Sequence, residues 1–383
     1  MDFLKNSELD YEVIYKKNLE LEEELKKKDE KIKEMEEENL NLKNQLESEK
    51  KDIKPFFFEF DFVKNDSKLF QSLSGFFYED FQEILGFINL EMDSKPTRNT
   101  IRIQESYKES RFKNEHLLFM TLIWLRHYPK NSLMRYCFNI SAFEINMILN
   151  KTITSLIRAL SYLIEWPSDE KFKELMEKYK DFNFDEAPNI LCVIDGTEIK
   201  VPRPQPKLQK EIYSAKKKQH SLNFQIITLL DVSIIFVSKH QKGANDQKQF
   251  NELRIRDKFV AKDYGLVADG GYTLNRYYDY QISGFVPFKN NKKNKLTEEQ
   301  KSFNKKLSQV RVVVENTISN IKNWDVISSK FRHFSLKKNN PINIDEVFHV
   351  CCLLTQFKLK KKPLRSNKWM HPSKKWYFHS LYH

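Results

Sequence analysis

The chain has 383 residues, room for two or three domains each with its own core, and a net charge of +12 that favours a polyanionic partner over a membrane. The charge is uneven: residues 1–50 hold ten Lys against sixteen Asp or Glu, and the rest holds 55 Lys or Arg against 37 Asp or Glu. Cys137, Cys192, Cys351 and Cys352 form no CxxC pair, which argues against a zinc module or a disulfide scaffold, and no apolar run is long enough to span a bilayer.

Residues 10–50 read as a coiled coil. Ile14, Asn18, Leu21, Leu25, Lys28, Ile32, Met35, Asn39, Leu42 and Leu46 recur at alternating steps of four and three, flanked by Glu and Lys. So narrow a stripe stays wet unless it meets a second copy, so a homodimer is expected, with Asn18 and Asn39 fixing its register. The alternative is a single charged helix.

A helical region is expected over 66–165. Phe70, Phe77, Phe81, Leu85 and Ile88 share helical spacing, while Phe56-Phe57-Phe58-Glu59-Phe60 has no clear assignment and Pro96 marks a connection. Leu117, Leu118, Thr121, Leu122 and Leu125 line a first helix, Ser132–Cys137 gives a short second, and Asn139-Ile140 a turn. Ser141, with Glu144 three residues on, starts a third. This is a helix-turn-helix layout whose third helix would offer Asn146, Asn150 and Lys151 to the major groove of double-stranded DNA. The equal alternative is a plain helical scaffold. Glu165–Ala187 reads as a charged connector.

Strands then take over, defining a domain over 188–357. Asn189–Ile194 is a buried strand closed by Asp195-Gly196-Thr197. Ser221–Leu230 and Ile234–Val237 form a hairpin around Asp231-Val232-Ser233. A helix from about Gln247 to Lys258 follows, then a strand Leu266–Ala268 closed by Asp269-Gly270-Gly271-Tyr272. A fifth strand, Phe285–Phe288, precedes a long helix from about Thr297 to Asn323. The expected fold is α/β and ribonuclease-H-like, a mixed five-stranded sheet with helices on its faces.

In that layout Asp195 and Asp269 meet at neighbouring strand ends, and Glu315 joins them from the last helix. Crowded carboxylates repel unless cations neutralise them, and hard oxygens suit Mg²⁺ or Mn²⁺, here two ions sharing Asp195. Such a pair would activate a water and stabilise the leaving 3′ oxygen of a DNA strand. Arg311 and Lys322 share a helix face with Glu315 and would grip phosphates. The bland reading of Arg311 and Glu315 is a surface salt bridge.

The run Ile194-Asp195-Gly196-Thr197-Glu198-Ile199, followed by Lys216-Lys217-Lys218-Gln219-His220, resembles the DDE superfamily endonucleases, including the PIF/Harbinger-type transposases. Val267–Tyr272 is similar to that family's second motif, and Arg311–Ile318, continuing to Lys322 and Trp324, to its third. The Arg-x₃-Glu-x₆-Lys spacing also matches bacterial insertion-sequence transposases, with Ser308 in place of their Tyr. The resemblance implies a metal-binding catalytic triad of Asp195, Asp269 and Glu315, and DNA contacts from Lys217, Lys218 and His220. Gly243–Asp246 is similar to the family's Gly-x-x-His-Asp stretch, with Asn245 for His; Asp246 reads as a helix cap in preference to a fourth ligand. The resemblance also raises a second, element-encoded DNA-binding protein as a partner.

Residues 358–383 form a basic tail in which Trp369, Trp376, Tyr377 and Phe378 are interleaved with Lys and Arg, suited to DNA contact or to nuclear localisation. The whole reads as a transposase cleaving element ends and joining them to target DNA. The alternatives are a domesticated DNA-binding descendant, a nuclease without strand joining, and a structural coiled-coil protein.

Overall fold

A computed structural model describes residues 2–52, 60–93, 112–179, 189–242, 246–274, 282–290, 295–334 and 342–362. The chain divides into two units, one of residues 1–57 with Cys137–Asn139, the other of residues 58–136 and 140–383. Phe56–Phe58, Pro96, and the tail from residue 363 on, with its nuclear-localisation and base-stacking readings, lie outside the described residues.

In the first unit, Asp2–Asp52 is one continuous helix, α1, longer than the expected coil. The seam residues Leu21, Leu25, Ile32, Met35 and Leu42 are all at least half exposed along it.

The second unit opens with the short helices α2 (Phe60–Asn65), α3 (Ser67–Ser74) and α4 (Tyr78–Asp93). Asp66 caps α3 by accepting from the Lys68 and Leu69 amides, and Gly75, at φ +81°, ends it in the left-handed conformation that glycine adopts without strain. The helices α5 (Asn114–His127), α6 (Asn131–Phe138) and α7 (Ala142–Leu160) follow. Phe60, Phe70, Phe81 and Phe119 pack with ring centroids 5.2–6.4 Å apart. The Ser141–Glu144 capping box opens α7 where the sequence places it.

One face of α7 lies in the core. It buries Ile145, Ile148, Leu149, Ile153, Leu156 and Leu160, and it packs against α4, α5 and α13 (Ile344–Lys361). Of the three residues expected to face DNA, Asn150 alone is exposed. Asn146 and Lys151 are half-buried, and burial lowers the Lys151 ammonium below its usual range.

The expected connector is also part of the core. The helix α8 (Asp169–Lys178) buries Phe172 and Leu175; Phe172 stacks on Tyr264 at 3.7 Å and Trp166 meets Phe259 edge-on at 5.6 Å. Its apolar positions are too few for a clear stripe in the sequence, and the charges between them all face water.

The sheet is mixed. The strands are β1 (Ile190–Lys200), β2 (Tyr213–Ser214), β3 (Gln219–Leu229), β4 (Ile234–Val237), β5 (Gln241–Lys242), β6 (Gly265–Val267) and β7 (Gly284–Phe285). Their order is β2-β3-β1-β6-β7, with β4 and β5 also paired to β3. β1 and β3 are antiparallel from Cys192↔Leu229 to Lys200↔Ser221; β6 is parallel to β1 and to β7. Among the described residues seven strands stand where five were expected, because β2 and β5 are added on residues 219–220 and 222–223 of β3, beside the expected β4 on residues 226–228.

Three boundaries differ from expectation. β1 does not end at Asp195; pairing with β3 carries it on to Lys200, and the strand that stops is its other neighbour, β6. The helix expected from Gln247 to Lys258 breaks at Arg254, whose φ is +51°, leaving α10 (Asp246–Glu252) and a 3₁₀ turn, Ile255–Lys258. The last expected strand is cut to Gly284–Phe285 ahead of Pro287, which has no amide to donate to a ladder.

The helices α9 (Pro206–Gln209), α11 (Glu298–Ile321) and α12 (Asp325–Ser328) complete the unit. α11 starts at a Thr297–Gln300 capping box and lies against β1, β3 and β6. α13 packs on β4 and α11 as well as α7; its Phe348 meets Phe224 at 4.2 Å, and buried Gln356 Oε1 accepts from the Ile234 amide at 2.8 Å.

Candidate functional site: carboxylates where a strand stops

The site begins with register. Val193 pairs with Val267 in the parallel ladder, so Asp195 and Asp269 are each two residues beyond a matched pair. Side chains two residues apart on a strand share a face, so the ladder aims both acids the same way from adjacent chain segments. β6 ends at Val267, which opens the edge of β1 beside Asp195. Asp195 Oδ1 accepts from the next residue's amide, Gly196 N, at 2.8 Å, and Asp269 Oδ1 accepts from Gly271 N at 2.6 Å.

Burial pushes the Asp195 carboxyl up to about 6. The Gly196 amide and the Arg311 guanidinium act against this shift, while Asp269 and Asp246 add to it. The sequence therefore brings two of its expected acids together, and a third enters that sequence reasoning set aside. Asp246, first residue of α10, does not act through its own helix: its Oδ1 accepts from Asn223 Nδ2 of β3 at 3.0 Å. Burial raises its carboxyl too, Asn223 opposes the rise, and Asp269 reinforces it. The signal for it was the pair of glycines: a Cβ on Gly196 would stand 2.6 Å from Asp246 Oδ1, and one on Gly271 3.4 Å from Asp246 Oδ2.

Glu315 is placed differently. It sits on α11, half exposed, and forms an ion pair with Arg311 Nη2 at 3.1 Å, one helical turn earlier. Arg311 thus stands between Asp195, whose charge it stabilises, and Glu315, which it holds. Among the described residues no three His, Cys, Asp or Glu side chains converge tightly enough to hold a metal ion. Glu315 is paired with the guanidinium one turn before it. The donors are all carboxylate oxygens, the chemistry of a hard divalent cation and not of zinc or copper.

Cations surround these acids. Burial lowers the Lys322 ammonium, Lys217 lowers it further, and Asp195 and Glu198 act in the opposite sense. Lys217 and Lys218 are exposed in the β2–β3 turn, where Lys218 takes φ +50°. Glu198 of β1 anchors that turn by accepting from the Ser214 and Ser221 hydroxyls at 3.1 and 2.5 Å, and Ser214 Oγ accepts from the Lys217 amide at 3.2 Å. His220 lies on β3 against Tyr213, their rings 5.5 Å apart. Arg311 and Lys322 therefore share the electrostatic field of Asp195, Lys216 acts on Asp246, and Lys217 acts on Lys322, whereas Asn146, Asn150 and Lys151 belong to α7 in the helical part.

Residues 194–356, from the residue before Asp195 to the middle of α13, match the family model described as DDE superfamily endonuclease. The probable transposase for insertion sequence element IS702 of Microchaete diplosiphon is 30% identical over 155 residues, 39% of this chain and 54% of that protein. Over that stretch the chain is similar to DDE superfamily endonucleases and to an insertion-sequence transposase. It spans about half the length of the curated relative it matches. No solved structure matches it. The matched stretch contains Asp195, Asp246, Asp269, Glu315 and all the basic residues named beside them, and leaves out α1 to α8.

Proposed function

We propose that the protein is a metal-dependent DNA endonuclease of the transposase kind, cutting phosphodiesters at element ends and joining the exposed 3′ hydroxyl to target DNA. The observation that carries the reading is the Val193↔Val267 register, which sets Asp195 and Asp269 side by side at an open sheet edge within the family-matched stretch. In this reading the domain is ribonuclease-H-like, with β4-β3-β1-β6-β7 as its five principal strands. Kinship with the PIF/Harbinger branch rests on the motif spacing alone.

Asp195, Asp269 and Glu315 are the proposed ligands of two Mg²⁺ or Mn²⁺ ions, which supply an activated water and charge stabilisation at the leaving oxygen. Asp195 and Asp269 need only their present positions; Glu315 must leave Arg311. Arg311, Lys322 and Lys217 bind the strand's phosphates beside the acids, with Lys218 and His220 extending the contact along the β2–β3 turn. The exposed seam of α1 favours a homodimer, which holds two ends together. The packing of α7 favours its scaffold reading over groove recognition.

The test is nicking and strand joining of DNA carrying candidate ends, with Mg²⁺ or with chelator. Mg²⁺-dependent nicking lost in Asp195→Ala supports the enzyme; DNA binding without any nicking identifies a domesticated binding protein instead. Nicking without joined product identifies a plain nuclease.

A further inference from the structure

Three features of the site are unexplained by a triad of Asp195, Asp269 and Glu315. The first is where Asp246 sits. Its carboxylate is drawn up to the open edge of β1 from α10, across Gly196, and fixed from β3: Asn223 Nδ2 donates to Oδ1 at 3.0 Å and Gln225 Nε2 to the Asp246 carbonyl at 2.8 Å. Gln247, the next residue, accepts from the Thr273 amide, which ties the start of α10 to the Asp269–Tyr272 loop. The second is the space kept for it. A point one Cβ bond from Gly271 lies 2.8 Å from Asp269 Oδ1 and 3.4 Å from Asp246 Oδ2, so the two carboxylates flank one spot.

The third is Tyr272. It is 3% exposed, its ring packs edge-on against Phe250 of α10 at 6.0 Å, and its buried hydroxyl has no hydrogen-bond partner among the described residues. Burial raises its ionisation, and the charges of Asp246, Asp195 and Asp269 add to the rise. Asn223 Oδ1, on a residue 3% exposed, is a second buried oxygen with no partner there. Buried donors and acceptors left unpaired at one spot mark a place where something polar is to be bound.

We infer that Asp246 is a further carboxylate ligand of the divalent-cation site, sharing an ion with Asp269, while the Tyr272 hydroxyl donates to an oxygen that the ion carries. The inference rests on the metal-nuclease reading and adds a ligand that the family triad does not contain. Chemically it fits: oxygen donors from Asp, with a neutral hydroxyl beside them, suit Mg²⁺ or Mn²⁺. Asn223 is then a positioning residue that holds the Asp246 carboxylate toward the spot it shares with Asp269.

The experiment is calorimetric titration of the full chain with Mn²⁺ at neutral pH, beside thermal melting with and without the ion. Asp246→Asn keeps the side chain's shape and removes its charge; it is expected to weaken Mn²⁺ binding at least tenfold, as Asp269→Asn does, without lowering the metal-free melting temperature. Glu299→Gln, on the outer turn of α11, is expected to leave binding unchanged. Tyr272→Phe is expected to weaken binding less than Asp246→Asn does. If the wild-type chain binds Mn²⁺ and Asp246→Asn binds it within twofold as tightly, the inference is overturned and the nuclease reading stands. If the wild-type chain binds no Mn²⁺, both fall together.

Discussion

Gly196→Ala separates the geometry of the site from the stability of the fold. The added Cβ would stand 2.6 Å from Asp246 Oδ1 and 3.2 Å from Asn223 Oδ1. An oxygen reaches ordinary contact with carbon only beyond about 3.3 Å, so Asp246 must withdraw by roughly 0.7 Å. It is the end of a short side chain, so the fold yields cheaply: an off-rotamer torsion costs about 0.5–1.5 kcal/mol, and loss of the Asn223 bond to a charged group about 1.5–3 kcal/mol. Replacing glycine inside a strand returns about 0.5–1 kcal/mol of this. For a chain of this size each kcal/mol moves the melting temperature by about 2–4 °C, so a drop of several degrees is expected. Function is less tolerant, because ligand distances hold within about 0.2 Å and a 1 Å misplacement costs on the order of a hundredfold in rate. Mn²⁺-dependent nicking should therefore fall about a hundredfold in a protein that remains folded at assay temperature. Gly86→Ala is the control, since a Cβ there meets nothing within 4 Å. Wild-type nicking by Gly196→Ala would refute the assignment of that glycine's role to the space Asp246 occupies.

Phe172→Ala tests whether α8 belongs to the core: with Tyr264 stacked on it at 3.7 Å, the loss should be about 3–5 kcal/mol in chemical denaturation, against under 1 kcal/mol for a mere connector. Lys217→Ala and Lys322→Ala should each flatten the slope of log affinity against log salt for DNA by about one; an unchanged slope would remove that residue from the phosphate path. Lys358 gives a pH signature away from the site. Burial holds its ammonium down at about 8. Between pH 8 and 10.5 the folded chain binds fewer protons there than the unfolded chain, so stability rises with pH across that window and the penalty is complete below it. The shift corresponds to roughly 3 kcal/mol, offset by cation–π contacts to Phe76 at 4.3 Å and Trp324 at 4.4 Å, each about 0.5–2 kcal/mol. Lys358→Met should thus gain most over wild type near pH 7 and lose that advantage by pH 10.5; a pH-independent difference would show that the ammonium is not desolvated.

Local signals were legible wherever a few neighbouring residues decide the outcome. The Ser141–Glu144 and Thr297–Gln300 boxes start their helices as expected, because a hydroxyl and a carboxyl or amide three residues on satisfy amides that no other group reaches. The buried run Ile190–Ile194 identifies β1, since only a strand covered on both faces is apolar without alternation. What failed was decided at a distance. The end of β1 depends on how far β3 follows it, and Arg254's left-handed turn breaks a helix whose composition is unremarkable. The depth of α7 depends on α13, nearly two hundred residues away, so its Asn and Lys positions looked available when two of the three are half-buried.

The acids show the same division. Asp195 and Asp269 were legible because each ends or crosses a strand, and parallel register then forces adjacency. Glu315 was legible as a helix residue on the right face, but a helix face is wide and the nearest cation wins. Arg311 Nη2 at 3.1 Å takes Glu315, and the same guanidinium supports the charge of Asp195. One guanidinium thus supplies countercharge to two of the expected acids. Asp246 was less legible for the opposite reason. A capping preference is a local rule, while its carboxylate is held by Asn223 of β3 and has room beside Gly196 of β1 and Gly271 of the loop after β6. Both glycines read as turn residues in the sequence, yet a Cβ on either would approach the Asp246 carboxylate at the edge that β6 leaves open.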